Sequence, residues 1–222
     1  MHVRVERGGD VAEVALGVVS ASGCRPGPAP PELVSAIDNA VARAGLRTER
    51  DTEAVRAAVR RMLRHGRYKP TGRGKPASEY LLGAAREGRF PRIDALVDMS
   101  NLVSLETLLP ISVVDLGRAG TREFVLRRGR EGERYVFNTT GQEIGLRDLL
   151  LVATLPDDTA CASPVKDSMR TKVGADTTDV VAFVYGPVAL EAAVREAVAR
   201  LADGFRRFCG AREITSQPRD RN

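Results

Sequence analysis

The sequence predicts an α+β fold, a mixed or antiparallel β core with helices packed around it, and three observations carry that prediction. Apolar, β-branched runs of strand length recur along the chain, at Val11–Ser22, Ile111–Leu116, Leu149–Thr154 and Val180–Tyr185. Other segments return an apolar residue every three or four positions, as one face of a helix does. Turn signals, at Gly8-Gly9-Asp10, Arg130-Glu131-Gly132-Glu133 and Thr140-Gly141, join neighbouring strand runs.

At 222 residues the chain is long enough for one good-sized domain with elaborations. We expect a single domain over 1–211, with a core at about 76–187, an N-terminal strand and helix elaboration at 1–75, a C-terminal helix at 188–208 and a disordered tail at 212–222. A hydrophobic content of 43% is that of an ordinary globular protein, and no run reaches the uninterrupted apolar length of a membrane span. Val11–Val19 contains Glu13 behind Glu6 and Asp10, which makes a poor signal peptide. The three cysteines, Cys24, Cys161 and Cys209, are odd in number and far apart, which argues against a disulfide framework or a zinc knuckle and for reduced thiols in the cytoplasm. A net charge of +5 points to an anionic partner, most simply nucleic acid, although a solvated basic surface would give the same composition.

In chain order, residues 2–24 read as two strands joined by the Gly8-Gly9-Asp10 turn. Pro30-Pro31-Glu32 opens a helix with Leu33, Ile37, Ala40, Val41 and Ala44 on one stripe, ending near Gly45. A second helix is expected from Thr52, as its cap, to His65. Val55, Val59, Met62 and Leu63 form its apolar face, and Arg56, Arg60, Arg61 and Arg64 its basic one. The basic face runs on into Arg67-Tyr68-Lys69-Pro70-Thr71-Gly72-Arg73-Gly74-Lys75-Pro76, where Gly and Pro predict an extended loop. Arg64, Arg67, Lys69, Arg73 and Lys75 are there, with Lys172 further on, as candidates to bind nucleic acid by following a phosphate backbone, and Tyr68 to stack on a base; a flexible solvated loop is the alternative. His65, beside the arginines, reads as a surface residue rather than a base.

Ser78 is placed to cap a helix over Glu79–Arg86, with Tyr80, Leu81 and Leu82 turned inward and Gly88 closing it. Arg89–Leu116 then reads as one helix running into one buried strand. Ile93, Leu96, Val97, Val103 and Leu105 form its stripe, Pro91 precedes the first turn, and Pro110 stops the helix because it has no N–H to donate. Asp98, Asn101 and Asp115 interrupt this apolar stretch and need partners, most simply as caps and braces of backbone turns. Glu123–Arg128 and Arg134–Asn138 alternate like paired strands, Leu149–Thr154 and Val180–Tyr185 read as buried strands, and Val188–Phe208 is a strongly amphipathic helix.

Between the last two buried strands lies the densest set of chemical groups, Cys161-Ala-Ser-Pro-Val-Lys-Asp-Ser-Met-Arg-Thr-Lys172. Ester hydrolysis requires a positioned water, a group to take its proton, and donors for the developing oxyanion. Asp167 is the candidate to orient or deprotonate water. Lys166 and Arg170 are the candidates to neutralise oxyanion or phosphate charge, and Ser168 and Thr171 to donate hydrogen bonds, with Ser163 and Lys172 alongside. An ordinary charged turn is the alternative. Cys161 reads as a buried structural thiol rather than a nucleophile, since both histidines are remote in sequence. No Gly-x-Ser-x-Gly elbow, Walker-type loop or metal-ligand spacing competes.

The central stretch also resembles a known family. Arg92-Ile93, Leu96-Val97-Asp98, Asn101, Val103, Leu105, Pro110 and Asp115-Leu116 follow in order and spacing the helix-to-strand segment of the B3/B4 editing domain in the phenylalanyl-tRNA synthetase beta subunit. Ser78–Leu82, Arg127 with Gly132-Glu133, Gly141 and Leu146 extend the resemblance over about Pro76–Pro187. It implies a B3/B4-type fold and a trans-acting deacylase that removes a wrongly esterified amino acid from the 3′ end of tRNA. The chemistry implied uses water and the substrate's own ribose hydroxyl, with no metal and no cofactor. The family's loop carboxylate falls at Asp167, and its strand histidine falls at Ser112, a departure that removes a titratable group. Asp167, Lys166 and Ser168 are therefore the catalytic candidates, and Asn101, Ser112, Ser163, Arg170 and Thr171 the candidates to line the pocket. The synthetase's own substrate is not carried over. The expected partner is aminoacylated tRNA in the cytoplasm, with no membrane and no indicated protein partner. A non-catalytic RNA-binding module, or a protein that binds or hydrolyses a small molecule, is the alternative.

Overall fold

The structure is a computed structural model and describes residues 2–218. Its strands are β1 (Arg4–Arg7), β2 (Val14–Ser22), β3 (Ile111–Asp115), β4 (Glu123–Arg128), β5 (Arg134–Val136), β6 (Glu143–Gly145), β7 (Leu150–Thr154), β8 (Thr159–Ala162), β9 (Val180–Pro187) and β10 (Glu213–Pro218). Its helices are α1 (Pro31–Leu46), α2 (Glu49–Leu63), α3 (Ala77–Arg86), α4 (Ala95–Thr107), the single turn α5 (Leu116–Ala119) and α6 (Glu191–Phe208). One four-stranded sheet has the order β1-β4-β7-β8, parallel only between β1 and β4. A second, β10-β2-β9-β3, is antiparallel throughout, and β5-β6 is a separate ribbon. The α+β prediction holds.

The two large sheets share one core, and Phe124 of β4 meets Phe183 of β9 edge to face at 5.4 Å. Strand β7 is buried on both sides: Leu150 and Val152 join this core, while Leu151 and Ala153 join a second cluster with Tyr135, Leu146, Leu149 and Val165 beneath the β5-β6 ribbon. That double burial is why its sequence is continuously apolar instead of alternating. Helix α6 lies against β2 and β9, and the closeness of the fit depends on glycine. A Cβ at Gly17 would come within 2.4 Å of Val198 Cγ2, and one at Gly186 within 2.4 Å of Val194 Cγ2. Among the described residues no helix is long and apolar enough to cross a membrane, and no group of His, Cys, Asp or Glu is arranged to hold a metal ion.

Several local expectations are corrected. The first two strands are not a hairpin: β1 pairs with β4 and β2 with β9, because the apolar run Val14–Ala21 is long enough to be buried between β9 and β10. Helix α2 starts earlier than Thr52. Thr48 and Asp51 exchange hydrogen bonds in a capping box, which leaves Thr52 buried inside the helix. Ser78 is likewise buried within α3, whose entry is set by Pro76 and by the Ala77 N–H donating to Pro164 O at 2.8 Å. The tail from Arg212 is not disordered over its first part, since β10 adds to the open edge of β2; residues 219–222 of that expectation lie outside the described residues. Likewise β4 and β5 do not pair. Arg134–Val136 turns instead onto β6 through the Thr140-Gly141 turn.

Helix α4 is buried on more than the expected stripe, because it packs against α1, α3, α6 and β3. Ser100 and Ser104 fit these close faces by donating their hydroxyls to Leu96 O at 3.0 Å and Leu109 O at 2.7 Å. Ile93, outside the helix, is 63% exposed. The helix ends not at Pro110 but at Leu108, which takes the left-handed conformation at φ 61°. Asp98 and Asp115 brace backbone as expected: Asp98 Oδ1 accepts from Ile93 N at 2.8 Å, and Asp115 accepts from Arg118 N and from the Thr177 hydroxyl.

Gly17→Val should force α6 away from the sheet and lower stability by about 1–3 kcal/mol. Urea titration checks this as a lower midpoint with an unchanged slope.

Candidate functional site

The loop after β8 is held by a chain of buried hydroxyls. Tyr185 on β9 donates to Ser112 Oγ at 3.2 Å, and Ser112 donates to Ser163 O at 3.1 Å. Ser163 Oγ donates to Lys166 O at 2.7 Å, where the Tyr135 hydroxyl also donates at 2.5 Å. The loop is thus fastened to β9 and β3 on one side and to β5 on the other. The backbone around Lys166 and Asp167 is fixed by side chains rather than by a regular ladder.

The fastening presents both residues to the wall of a cavity of about 750 Å³. Its other walls come from the start and middle of α3, from the loop before it through Gly72, Arg73 and Lys75, and from Phe137, Asn138 and Lys172. A second hollow of about 610 Å³ shares Arg73, Phe137 and Lys166 with it. Lys166 Nζ sits 3.5 Å from the centre of the Phe137 ring, a cation–π contact, and the Lys172 ammonium donates to Phe137 O. Burial, then the charges of Arg73 and Lys172, lower the pKa of Lys166. Three cations are therefore crowded around one opening without a carboxylate paired to Arg73 or Lys166 among the described residues, which is a field that favours an anion.

Asp167 lies in this basic setting with its carboxylate turned inward, Oδ1 accepting from Ser163 N at 3.2 Å. Burial pushes its pKa up to about 6, and the Ser112 hydroxyl beside it, the Ser163 and Val113 N–H groups and Lys172 pull the other way. Its ionised form is thus available at neutral pH yet remains a base.

The structure brings together Lys166, Asp167, Lys172, Arg73 and Lys75 and separates the rest. Ser163 and Ser112 stand behind the loop as links in the hydroxyl chain. Ser168 is buried and caps a short turn over Met169–Thr171 by accepting from Arg170 N. With Arg170 it faces a different hollow of about 350 Å³. Thr171 is buried, its hydroxyl given to Cys161 O at 3.2 Å. Asn101 is half-buried in α4 and lines none of these three hollows. Ser168, Arg170, Thr171 and Asn101 are therefore not in the main cavity: the first two face the other hollow at the turn that Ser168 caps, Thr171 is tied back to Cys161 O, and Asn101 sits in α4.

The basic loop is also corrected. It is folded rather than extended: Tyr68 N donates to His65 O, Gly72–Gly74 form a 3-10 turn, and the Tyr68 hydroxyl donates to Gly74 O at 2.5 Å. The Tyr68 ring packs partly against both hydrophobic clusters and lines the second hollow, not the main cavity. On α2, Arg60 is committed to Glu79 of α3, Nε to Oε1 at 2.6 Å, and Arg56 is paired with Glu49 and Glu79, so that part of the basic face binds helix to helix. Arg64, Arg67 and Lys69 are exposed but do not line the cavity. Cys161 is buried, donates to Val152 O at 3.3 Å and has its thiol pKa pushed well up by burial, as a structural thiol should. All three cysteines are unpaired.

The residue that sequence reading placed wrongly is Tyr80, which lines the cavity and is 64% exposed. The signal was present, since Ser78, Leu81, Leu82 and Ala85 already form the i, i+3, i+4, i+7 stripe that is buried and leave Tyr80 off it. Phe137 and Asn138 had no such signal, because the loop that carries them reaches the cavity only through tertiary contacts.

An α+β domain with a cation-lined hollow between a helix start and a hydroxyl-pinned loop is the class defined so far. The chain belongs to the B3/4 domain family, whose model matches residues 71–210. Among solved structures, it is similar to an N-terminal fragment of the phenylalanyl-tRNA synthetase beta-subunit from Pyrococcus horikoshii, at 13% identity and a TM-score of 0.49. That match covers 96% of this chain and 50% of the fragment, so the chain spans about half the length of this relative. No curated protein matches the chain.

A folded pKa of about 6 for Asp167, above the usual carboxylate value near 3.9, means that the native state binds the extra proton between about pH 4 and 6. Stability from this group is full below pH 4 and lost as pH rises through 6. Asp167→Asn should be more stable than wild type at pH 7 by roughly 1–3 kcal/mol, and the difference should vanish at pH 4. Paired urea titrations at the two pH values measure it.

Proposed function

We propose that this protein is an aminoacyl-tRNA deacylase, acting in trans in the cytoplasm on wrongly esterified tRNA 3′ ends. The observation that carries this reading is the placement of Asp167 and Lys166 on one wall of a cation-lined cavity. It is supported by membership of the B3/4 family and by the resemblance of Pro76–Pro187 to an editing domain.

In this reading the negatively charged 3′ end is drawn in by Arg73, Lys75 and Lys172. Asp167, ionised above pH 6, orients water and takes its proton as the water attacks the ester carbonyl. Lys166 is close enough to the same wall to neutralise the developing oxyanion. The acyl carbon–ribose oxygen bond then breaks, and the ribose oxygen leaves on the tRNA with the proton that Asp167 took from water; because water is the attacking group no protein nucleophile is needed, consistent with the buried, unactivated Cys161. Ser112, where the resemblance implies a histidine, supports Asp167 from behind and brings no proton of its own into the pH profile.

One observation favours a second reading, in which the domain binds a tRNA end without hydrolysing it. The Asp167 carboxylate already accepts the Ser163 N–H, so part of its hydrogen-bonding capacity serves the loop.

Amino-acid release from a panel of correctly and incorrectly charged tRNAs separates the two. Selective release should fall by about 100-fold or more in Asp167→Asn and Lys166→Ala while tRNA affinity changes little, and wild-type release should decline as pH drops below 6. Release from no charged tRNA, with salt-sensitive binding intact, would sink the hydrolytic reading. Arg73→Gln and Lys75→Gln should each reduce the slope of log affinity against log salt by about one. Activity that ignores both substitutions would point to a small-molecule substrate.

A further inference from the structure

The cavity has a feature that the deacylation chemistry leaves unused, the ring of Tyr80. Three of the four tyrosines are engaged: Tyr68, Tyr135 and Tyr185 are partly or fully enclosed and donate to Gly74 O, Lys166 O and Ser112 Oγ. Tyr80 is the sole mostly exposed aromatic side chain among the described residues, and its hydroxyl has no partner among them. The exposed ring, on a helix whose neighbours Leu81 and Leu82 are buried, offers a π face on which a ligand could stack.

Its surroundings say what that is. Tyr80 lines the same cavity as Lys166 and Asp167. Arg73 and Lys75, exposed and without a carboxylate partner among the described residues, line it too, whereas the two other lining carboxylates, Glu79 and Glu87, are paired, the first with Arg56 and Arg60 and the second with Arg89. A ring flanked by unpaired cations matches a nucleotide, whose base offers a π face and whose phosphate offers the charge.

We propose that Tyr80 is the platform on which the terminal base of a single-stranded RNA end stacks, with Arg73 and Lys75 on the adjacent phosphates. The stack sets how far the end enters and thereby places its terminal ribose at Lys166 and Asp167. This rests on the deacylase reading for the meaning of the placement, but the stacking itself requires no hydrolysis.

The chain has no tryptophan, so its near-ultraviolet emission comes from tyrosine, and Tyr80 dominates what a solvent quencher such as iodide can reach. Titration with the uncharged trinucleotide CCA should quench the emission saturably and protect it from iodide. By anisotropy of a 5′-labelled CCA, Tyr80→Phe should bind within about twofold of wild type, and Tyr80→Ala about tenfold or more weakly. Adenosine monophosphate should bind far more weakly than the trinucleotide. Equal binding by wild type and Tyr80→Ala, or binding with no change in emission, overturns the platform. Equal affinity for the mononucleotide and CCA overturns the RNA end in favour of a free nucleotide. Failure of the deacylase reading would appear instead as intact CCA stacking with no release from any charged tRNA.

Discussion

Four hydroxyls hold the functional end of this molecule together. The Tyr185, Ser112 and Ser163 side chains pass hydrogen bonds from the central sheet to the loop after β8, and Tyr135 closes the chain from the β5-β6 ribbon. All lie in apolar surroundings, where an unpaired hydroxyl costs about 1–3 kcal/mol, so each link holds the next in place. Lys166 and Asp167 owe their position to this chain. Both are fixed at the cavity wall because the carbonyl of Lys166 is claimed by two donors behind it and the Asp167 carboxylate accepts the Ser163 N–H.

The same arrangement explains the electrostatics. Placing Asp167 against the hydroxyl chain removes water from it and raises its pKa, and burial, followed by the charges of Arg73 and Lys172 around the same opening, lowers that of Lys166. A carboxylate with its pKa raised to about 6, beside an Arg73 and a Lys166 that have no carboxylate partner among the described residues, is unusual for a turn that only joins two strands. Several charges elsewhere are held in ion pairs: Arg127 is enclosed by Glu133 and Asp158, and Glu106 takes both Arg43 and Arg200.

The two hydrophobic clusters set the geometry of this end. The main core joins the large sheets through Phe124 and Phe183, and the smaller one lies beneath the ribbon. Strand β7 divides them, and Tyr68 touches both. The cavity opens along their junction, where α3, the folded basic loop and the β5-β6 connection meet. Tyr68 is consumed in making that junction, which leaves Tyr80, one turn into α3, as the ring that faces solvent.

The sequence by itself determined the α+β class, the positions of most helices and strands, and the concentration of chemical groups between β8 and β9. These follow from local signals of period, propensity and turn chemistry, which a chain carries wherever it folds. It also determined that Asp98 and Asp115 would brace turns, because short acidic side chains beside backbone N–H groups have few other uses. Only the tertiary structure decided which strands pair: β1 with β4 and β5 with β6 both join partners chosen by which apolar faces must be covered. It decided, too, which charges are free, since Arg56 and Arg60 meet Glu79 across a helix interface that no local signal announces. Of the twelve-residue loop it kept Lys166, Asp167 and Lys172 for the cavity, while Ser168 and Arg170, at the short turn that Ser168 caps, face another hollow.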